Sequence, residues 1–363
     1  EEPLATSGPS APESVKVEPI STGDESLEPR GPVDPSTERD PSDTKDGVED
    51  PEDPVKDEEE VEEEKPEEQV TSPEGIPQPP VEPVVQLPPS TVKQKVADAD
   101  IASGALVYNY GLQVPSGRGD LQPGLSLSYN SQQNEEGSLV GYGWGIDIPT
   151  IERKNVNGVN QLYTEENFSS SLGGDLKKTG SASGIGSFAA KIDNGSYLKY
   201  SFDTTQNIWT VRDKSGMVYT FGQTTESRLS NPADASKVFR WHLTRVQDTK
   251  GNFVSYEYAK VDNQVYPSVI FYTGNGSDQG IFKVQFNLED RTDKAMSAKY
   301  GFMVTNTKRV ENVEVFVQNT RIGKYDISYG QQAVNNRTQL TSIEYTGFDS
   351  AGQNGISYGV VEF

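Results

Sequence analysis

Cysteine is absent from the 363-residue chain, and histidine occurs once, at His242. The first absence excludes disulfides, zinc–thiolate sites and thiol nucleophiles, and the second leaves no His/Cys set able to hold a metal. No run of about 18 apolar residues occurs, so no membrane-spanning helix is expected. Aromatic residues are missing before Tyr108. An initiator Met and an apolar leader are missing too: the chain opens Glu1-Glu2-Pro3, as a processed mature chain or a cloned fragment does.

Basic charge is scarce in the first part. Residues 1–90 hold 27 acidic and 6 basic side chains, a net of −21, while the remaining 273 hold 28 and 26, a net of −2. The same 1–90 segment carries 18 of the 23 prolines. Such a segment buries too little apolar surface to offset its ordering entropy, so 1–95 is expected to be a disordered acidic linker. The run 57–68 within it is expected to be solvated rather than a cation site. Residues 96–363 are expected to fold. Their near-zero charge and lack of a basic run argue against nucleic acid as a partner.

What is present past residue 100 is period-2 alternation. Leu125-Ser126-Leu127-Ser128-Tyr129 places apolar and small polar residues on opposite faces of a strand. The same pattern recurs at 197–202, 218–221, 253–258, 281–286, 313–317, 325–329 and 340–345, rich in Tyr, Phe, Val, Ile and Thr. Between these lie Asp193-Asn194-Gly195, Asp213-Lys214-Ser215-Gly216, Asp248-Thr249-Lys250-Gly251-Asn252 and Gly274-Asn275-Gly276. These turns supply residues that tolerate positive φ. The nearest approach to a helical period is 290–300. The expected class is all-β: antiparallel hairpins wound into a curved sheet, sandwich or shell segment.

Two blocks go beyond this pattern. The first runs from Tyr110 through the strand Leu125, Leu127, Tyr129 to Gly141-Tyr142-Gly143-Trp144-Gly145-Ile146-Asp147-Ile148-Pro149-Thr150-Ile151-Glu152-Arg153. It resembles the SpvB-type N-terminal domain that opens the B subunits of insecticidal toxin complexes and many Rhs (YD-repeat) proteins. The family's usual leucine is Ile146 here. The second block, Arg245 to Tyr258, resembles one YD unit, with Asp248, Gly251 and Asn252 in the turn and Tyr256 and Tyr258 closing the strand. Ala259 stands where the family has Asp, and 212–219 is a weaker echo. The stretches 266–276 and 284–293 follow in family order, so the resemblance covers 100–363.

The resemblance implies a secreted or cell-surface bacterial protein. It also implies partners among C-terminal repeats and an enclosed toxic polypeptide. Family members continue with propeller-type and further YD repeats, so this chain is expected to supply the first section of a shell. A lone hairpin buries one aromatic face only by stacking on its neighbours, which gives the shell reading a physical basis independent of family. The alternative is a recognition module for a glycan or protein, as in teneurin-like and wall-associated YD proteins. The two differ in whether aromatic surface points inward or outward.

Candidate chemistry is sparse. His242 sits between Trp241 and Leu243, and without a G-x-S-x-G elsewhere it is expected to be structural. Glu257, Glu289, Asp290 and Asp293 are available for paired-carboxylate chemistry, but acidic residues are too common to signal it. The Asp193 and Asp248 segments lack the ligand spacing of a calcium loop and are expected to be turns. Arg118-Gly119-Asp120 spells an integrin tripeptide, yet it lies in the glycine-rich lead-in loop. Tyr142, Trp144, Trp209 and Trp241 are candidate glycan-stacking aromatics. Trp144, between two glycines that allow close backbone approach, is expected to be core. No catalytic residue, cofactor, metal or intrinsic enzymatic activity is expected.

Overall fold

Residues 98–100, 103–133 and 138–363 are described by a computed structural model, and in them the alternating segments become antiparallel strands. The tail expected over 1–95 lies outside the described residues. The fold is all-β, and among the described residues the helical elements are two single-turn 3-10 helices, Arg118–Asp120 and Val159–Gln161.

A small N-terminal sheet comes first: β1 (Asp98–Ala99), β2 (Leu106–Leu112), β3 (Leu125–Asn130) and β4 (Trp144–Ile146), paired in that order. Leu125 and Leu127 point inward and are buried. Ser126 and Ser128, on the opposite face, donate hydroxyl hydrogen bonds of 2.6 and 2.7 Å to the Asp147 carboxylate. One face is therefore committed to the core and the other is satisfied locally.

The chain then builds β5 (Thr150–Arg153), β6 (Phe168–Ser170), β7 (Gly174–Ala182), β8 (Ile185–Ala190), β9 (Lys199–Asp203), β10 (Ile208–Arg212), β11 (Val218–Phe221), β12 (Arg228–Asn231) and β13 (Asp234–Gln247). Strands β5 to β11 pair neighbour to neighbour. Pairing of β13 with both β5 and β11 closes the ring into an eight-stranded barrel. A closed ring has no free edge to protect. Its interior is filled rather than hollow, as eight strands allow. Phe202 stacks on Trp209 at 4.5 Å, and Phe168 meets the edge of Trp209 at 4.9 Å and of Trp241 at 5.9 Å. Each such ring removes roughly 150–250 Å² from water, about 4–6 kcal/mol of transfer free energy as an upper estimate.

Seven longer strands follow: β14 (Asn252–Val261), β15 (Gln264–Asn275), β16 (Phe282–Ser297), β17 (Val304–Val317), β18 (Thr320–Gln331), β19 (Thr338–Phe348) and β20 (Gly355–Glu362). They continue from β13 as one antiparallel open sheet in chain order. The segment 290–300 is not helical. Its first part continues β16 through an irregularity between Asp290 and Ala295, because the pairing of Ala295 to Ser297 with β17 resumes beyond it.

The open sheet has two unlike faces. Val313, Val315, Tyr325, Ile327 and Ile343 are buried on one of them. The N-terminal sheet packs there: the Tyr325 hydroxyl accepts from the Gln113 amide at 2.7 Å and donates to its carbonyl at 3.1 Å. The opposite face is a polar ladder. Asn287 donates to Asn312 and Glu314 at 2.7 and 3.0 Å, and Arg321 pairs with Glu314 at 2.7 Å. The far edge is β20, which among the described residues pairs with β19 alone. Ile356, Tyr358 and Val360 on it are 67%, 61% and 51% exposed.

Strand β13 links barrel and open sheet. Along one edge it pairs first with β5, through Arg240, Trp241 and His242, and then with β14, through Arg245, Val246 and Gln247. The two partners diverge between these stretches, and the sheet forks.

Candidate functional site

The motif strand entering the barrel is built from backbone constraints upward. Gly143 has φ +80°, and a Cβ there would lie 2.6 Å from a Tyr129 ring carbon. Only glycine lets the chain pass this close beneath Tyr129. Trp144 is buried against Tyr129 at 5.4 Å, Tyr108 at 6.0 Å and Phe363 at 4.8 Å, as its flanking glycines suggested. The Pro149 carbonyl accepts from the Leu243 amide at 3.0 Å, which ties the motif to β13. Arg153 donates to the carbonyls of Val238 and Glu165, each at 2.9 Å, and its guanidinium lies 4.9 Å over Phe168. It thus caps the aromatic filling of the barrel with a cation whose Nε and Nη1 donate to backbone carbonyls.

The turn between β13 and β14 is organised by Asp248. Its carboxylate accepts from the Lys250 and Asn252 amides, each at 2.8 Å, and from the Asn252 side chain at 2.7 Å. Gly251 takes φ +84°. Buried Asn252 in turn accepts from Asn275 of the next hairpin at 2.9 Å. Asp213 holds the Ser215 and Met217 amides in the same manner. So does Asp349, with the Ala351 and Gln353 amides and the Asn354 side chain. The Asp349 turn went unread because its Asn follows five residues after the Asp rather than four; Gly352 was the available signal. Asp193, for its part, accepts from the Gly195 amide at 2.9 Å in a local turn.

Tyr256 and Tyr258 are buried, and burial pushes both phenols well above their ordinary values. Tyr258 lies at the fork. Its hydroxyl donates at 2.5 Å to the Leu243 carbonyl. That carbonyl sits in the gap between the β5-paired and β14-paired parts of β13. The last tyrosine of the motif therefore satisfies a backbone acceptor that the fork strands.

Where β5 and β14 part, a cleft of about 420 Å³ opens, bounded by the N-terminal sheet, the barrel and the open sheet. Cross-strand pairing sets its barrel side: Glu152 faces Arg240, and Thr150 faces His242. These four alternate with Ile151 and Trp241, which fill the barrel. Arg240 Nε donates to Glu152 Oε2 at 2.8 Å. His242 donates from Nδ1 to the Ser227 carbonyl at 3.0 Å and packs on Tyr258 at 5.2 Å. Burial, with Arg240 and Lys260 nearby, pushes its pKa down to about 3. The ring is neutral at physiological pH, and Nε2 is an acceptor with no hydrogen-bond donor among the described residues. Gln264 and Asn306 line the opposite side. Glu152, Arg240 and Asn306 carried no sequence signal, since nothing local reveals that residues near 152, 240 and 306 converge.

Other candidates are dispersed. Trp144, Trp209 and Trp241 are buried, so the glycan-stacking role considered for them has no exposed ring to use; Tyr142 stays half-exposed beneath the Arg337 guanidinium at 4.5 Å. Glu289 pairs with Arg309 at 2.7 Å, Asp290 with Lys308 at 2.9 Å and Asp293 with buried Arg291 at 2.9 Å. Glu257 accepts from Gln279 at 3.3 Å. Asp293 borders a second hollow of about 290 Å³. Burial raises the Asp293 pKa, but hydrogen bonds from Arg291 and Thr338 outweigh it and hold the value near about 2. Arg118-Gly119-Asp120 forms an exposed turn resting on the Asp248 loop; a Cβ at Gly119 would lie 3.5 Å from Asn252 Nδ2. Among the described residues no helix is long and apolar enough to cross a membrane.

A family model described as Salmonella virulence plasmid 65kDa B protein, SpvB, matches residues 101–321. The chain is similar to the crystal structure of TcdB2-TccC3, at 18% identity and TM-score 0.60, over 71% of this chain and 16% of that one. It is similar to the N-terminal domain of effector protein SpvB from Salmonella typhimurium strain LT2, at 18% identity and TM-score 0.57, over 66% of this chain and 99% of that one. A third likeness is to the Photorhabdus luminescens Tc holotoxin pore, at 18% identity and TM-score 0.60, over 71% of this chain and 15% of that one. At such identities the likeness is one of fold. No curated protein matches.

Proposed function

The chain belongs to the SpvB family, and from that premise we propose that it is a structural, non-catalytic section of a larger β-walled assembly in a secreted toxin-complex or Rhs-type protein. Its partners in this reading are further strand-forming segments of such proteins and a polypeptide held behind the wall. Its Asp248 and Asp213 hairpins act as YD-type units. It works outside the cell that makes it, and none of its residues performs chemistry.

One observation carries the reading: the sheet ends differently on its two sides. At one side it closes on itself through β11 and β13. At the other, β20 offers an edge unpaired among the described residues and exposed Ile356, Tyr358 and Val360. An edge strand of a free-standing protein is ordinarily blunted by charge, proline or a covering loop; β20 has Glu362 as its only charged residue. The tyrosine row Tyr325–Tyr345–Tyr358, spaced 4.6 and 5.6 Å, runs toward that edge and leaves its last ring 61% exposed. A wall that is capped on one side and extended on the other needs this pairing of features.

The test uses the full polypeptide in which this chain occurs. Tyr358→Lys with Val360→Lys places two charges on the extending edge. Limited proteolysis is expected to cleave the segments that pair beyond β20 at least about tenfold faster in the variant, while the barrel strands resist as before. Equal protection in both proteins would refute the wall reading.

A further inference from the structure

The outer surface of the barrel carries a row of cations that the strand pairing does not explain. Cross-strand register sets Lys177 of β7, Ala189 of β8, Lys199 of β9 and Arg212 of β10 side by side on the outward face. Their neighbours Leu176, Tyr200 and Val211 point into the core. Lys199 and Arg212 are directly opposite one another, and Lys177 stands two strand spacings away, about 10 Å. Like charges so placed weaken a ladder. All three are exposed, and among the described residues no carboxylate pairs with any of them. A row that costs stability and has no counter-charge beside it points to an anion outside the fold.

The loop joining β8 to β9, residues 191–198, adjoins this row. On it Ile192 is 83% exposed and Tyr197 64%. Single apolar residues on a surface are ordinary; two on one loop among cations mark an interaction site. Lys191 precedes Ile192, and Lys214 Nζ lies 5.9 Å from the Tyr197 ring and donates to the Gly195 carbonyl at 3.5 Å. The loop is braced internally: Asp193 accepts from the Gly195 amide at 2.9 Å and Asn194 from the Ser196 amide at 3.2 Å. Among the nearby acids, Asp175 is paired with Lys154 at 2.6 Å, while Asp193 and Asp213 hold turn amides. Lys177, Lys191, Lys199, Arg212 and Lys214 against Asp193 and Asp213 leave a local net of +3.

We propose that this face of the barrel docks on a membrane surface of anionic lipid. The cations meet the headgroup phosphates and carboxylates, while Ile192 and Tyr197 enter the boundary between headgroups and acyl chains. Apolar contact and basic charge add in such binding, and tyrosine suits that depth because one end is apolar and the other wet. A soluble polyanion would use the cations and leave the apolar pair idle. The net −23 of the whole chain gives no general attraction to such a surface; fields fade over about 8 Å at physiological salt, so the local balance decides. The docking is separate from the wall and makes no use of β20.

Sedimentation of the full chain with vesicles of phosphatidylcholine, alone or with about 30% phosphatidylserine, reads the docking directly. Affinity for the anionic vesicles is expected to exceed that for the neutral ones at least about tenfold. It should fall as salt rises from about 0.1 to about 1 M, which shortens the screening length from about 10 to about 3 Å. Lys199→Glu with Arg212→Glu should weaken it at least about tenfold, and Ile192→Ser with Tyr197→Asn about tenfold. Tyr197 sits at φ +52°, which asparagine tolerates. All four side chains are exposed, so unchanged thermal melting is expected, and if one variant unfolds the other still decides. Three results would overturn the proposal. One is equal affinity for neutral and anionic vesicles. Another is binding that neither variant alters. The third is loss in the charge variant with none in the apolar one, which would assign the row to a soluble polyanion.

Discussion

His242 is neutral because it is buried, and that fixes the sign of its pH effect. In the unfolded chain an imidazole takes a proton near pH 6.5; in the folded chain its pKa is pushed down to about 3. Above pH 6.5 both states are neutral and the residue costs nothing. Below it, only the unfolded state gains the proton, so stability falls until the folded ring titrates as well. The loss at pH 5 is expected to be about 2 kcal/mol relative to pH 7. His242→Asn keeps a donor toward Ser227 and should remove this component, which urea melts at the two pH values will resolve. Trp144 tests packing at the same scale. Trp144→Ala is expected to cost about 3–5 kcal/mol in denaturant melts, and a cost under about 1 kcal/mol would mean its ring contributes little to the core.

At the scale of elements, the turns repay attention first. Asp248 holds two amides and a side-chain amide in one carboxylate. Asp248→Ala is therefore expected to destabilise by roughly 1–3 kcal/mol, and Asp213→Ala, with two backbone amides held, by less; chemical denaturation of both variants gives the comparison. Such turns were legible in the sequence because their chemistry is local: an acceptor, a glycine at positive φ and a donor within five residues. The strand Leu125-Ser126-Leu127 was legible for the same reason, since alternation is a property of neighbours. The fork was not. It depends on β13 exchanging β5 for β14 along one edge, and the partners of Arg240 and Arg245 lie at Glu152 and Ser255. No local rule reports pairings of such unequal reach. The segment 290–300 hid its strand in the opposite sense: burial alternates from Asp290 to Ser297, but polar residues such as Arg291 and Asp293 occupy the inward positions, so the sequence shows no apolar alternation.

At the scale of the molecule, closure by β11 and β13 was outside what alternation predicts, because a curved sheet and a closed ring share the same strand pattern. Burial of all three tryptophans follows from that closure and from the N-terminal sheet covering the open one. One consequence concerns cooperativity. A domain boundary is ordinarily a stretch few interactions cross, and halves so joined melt apart. Here β13 is wall to the barrel and first rung of the open sheet at once, so neither can lose it and keep its ladder. Scanning calorimetry of residues 96–363 should give a single peak whose calorimetric and van't Hoff enthalpies agree, and two resolved peaks would mean the shared strand does not couple them. Heat, acid or pulling force applied to either part then loads the other, which makes the stability of the whole a property of one fourteen-residue ribbon.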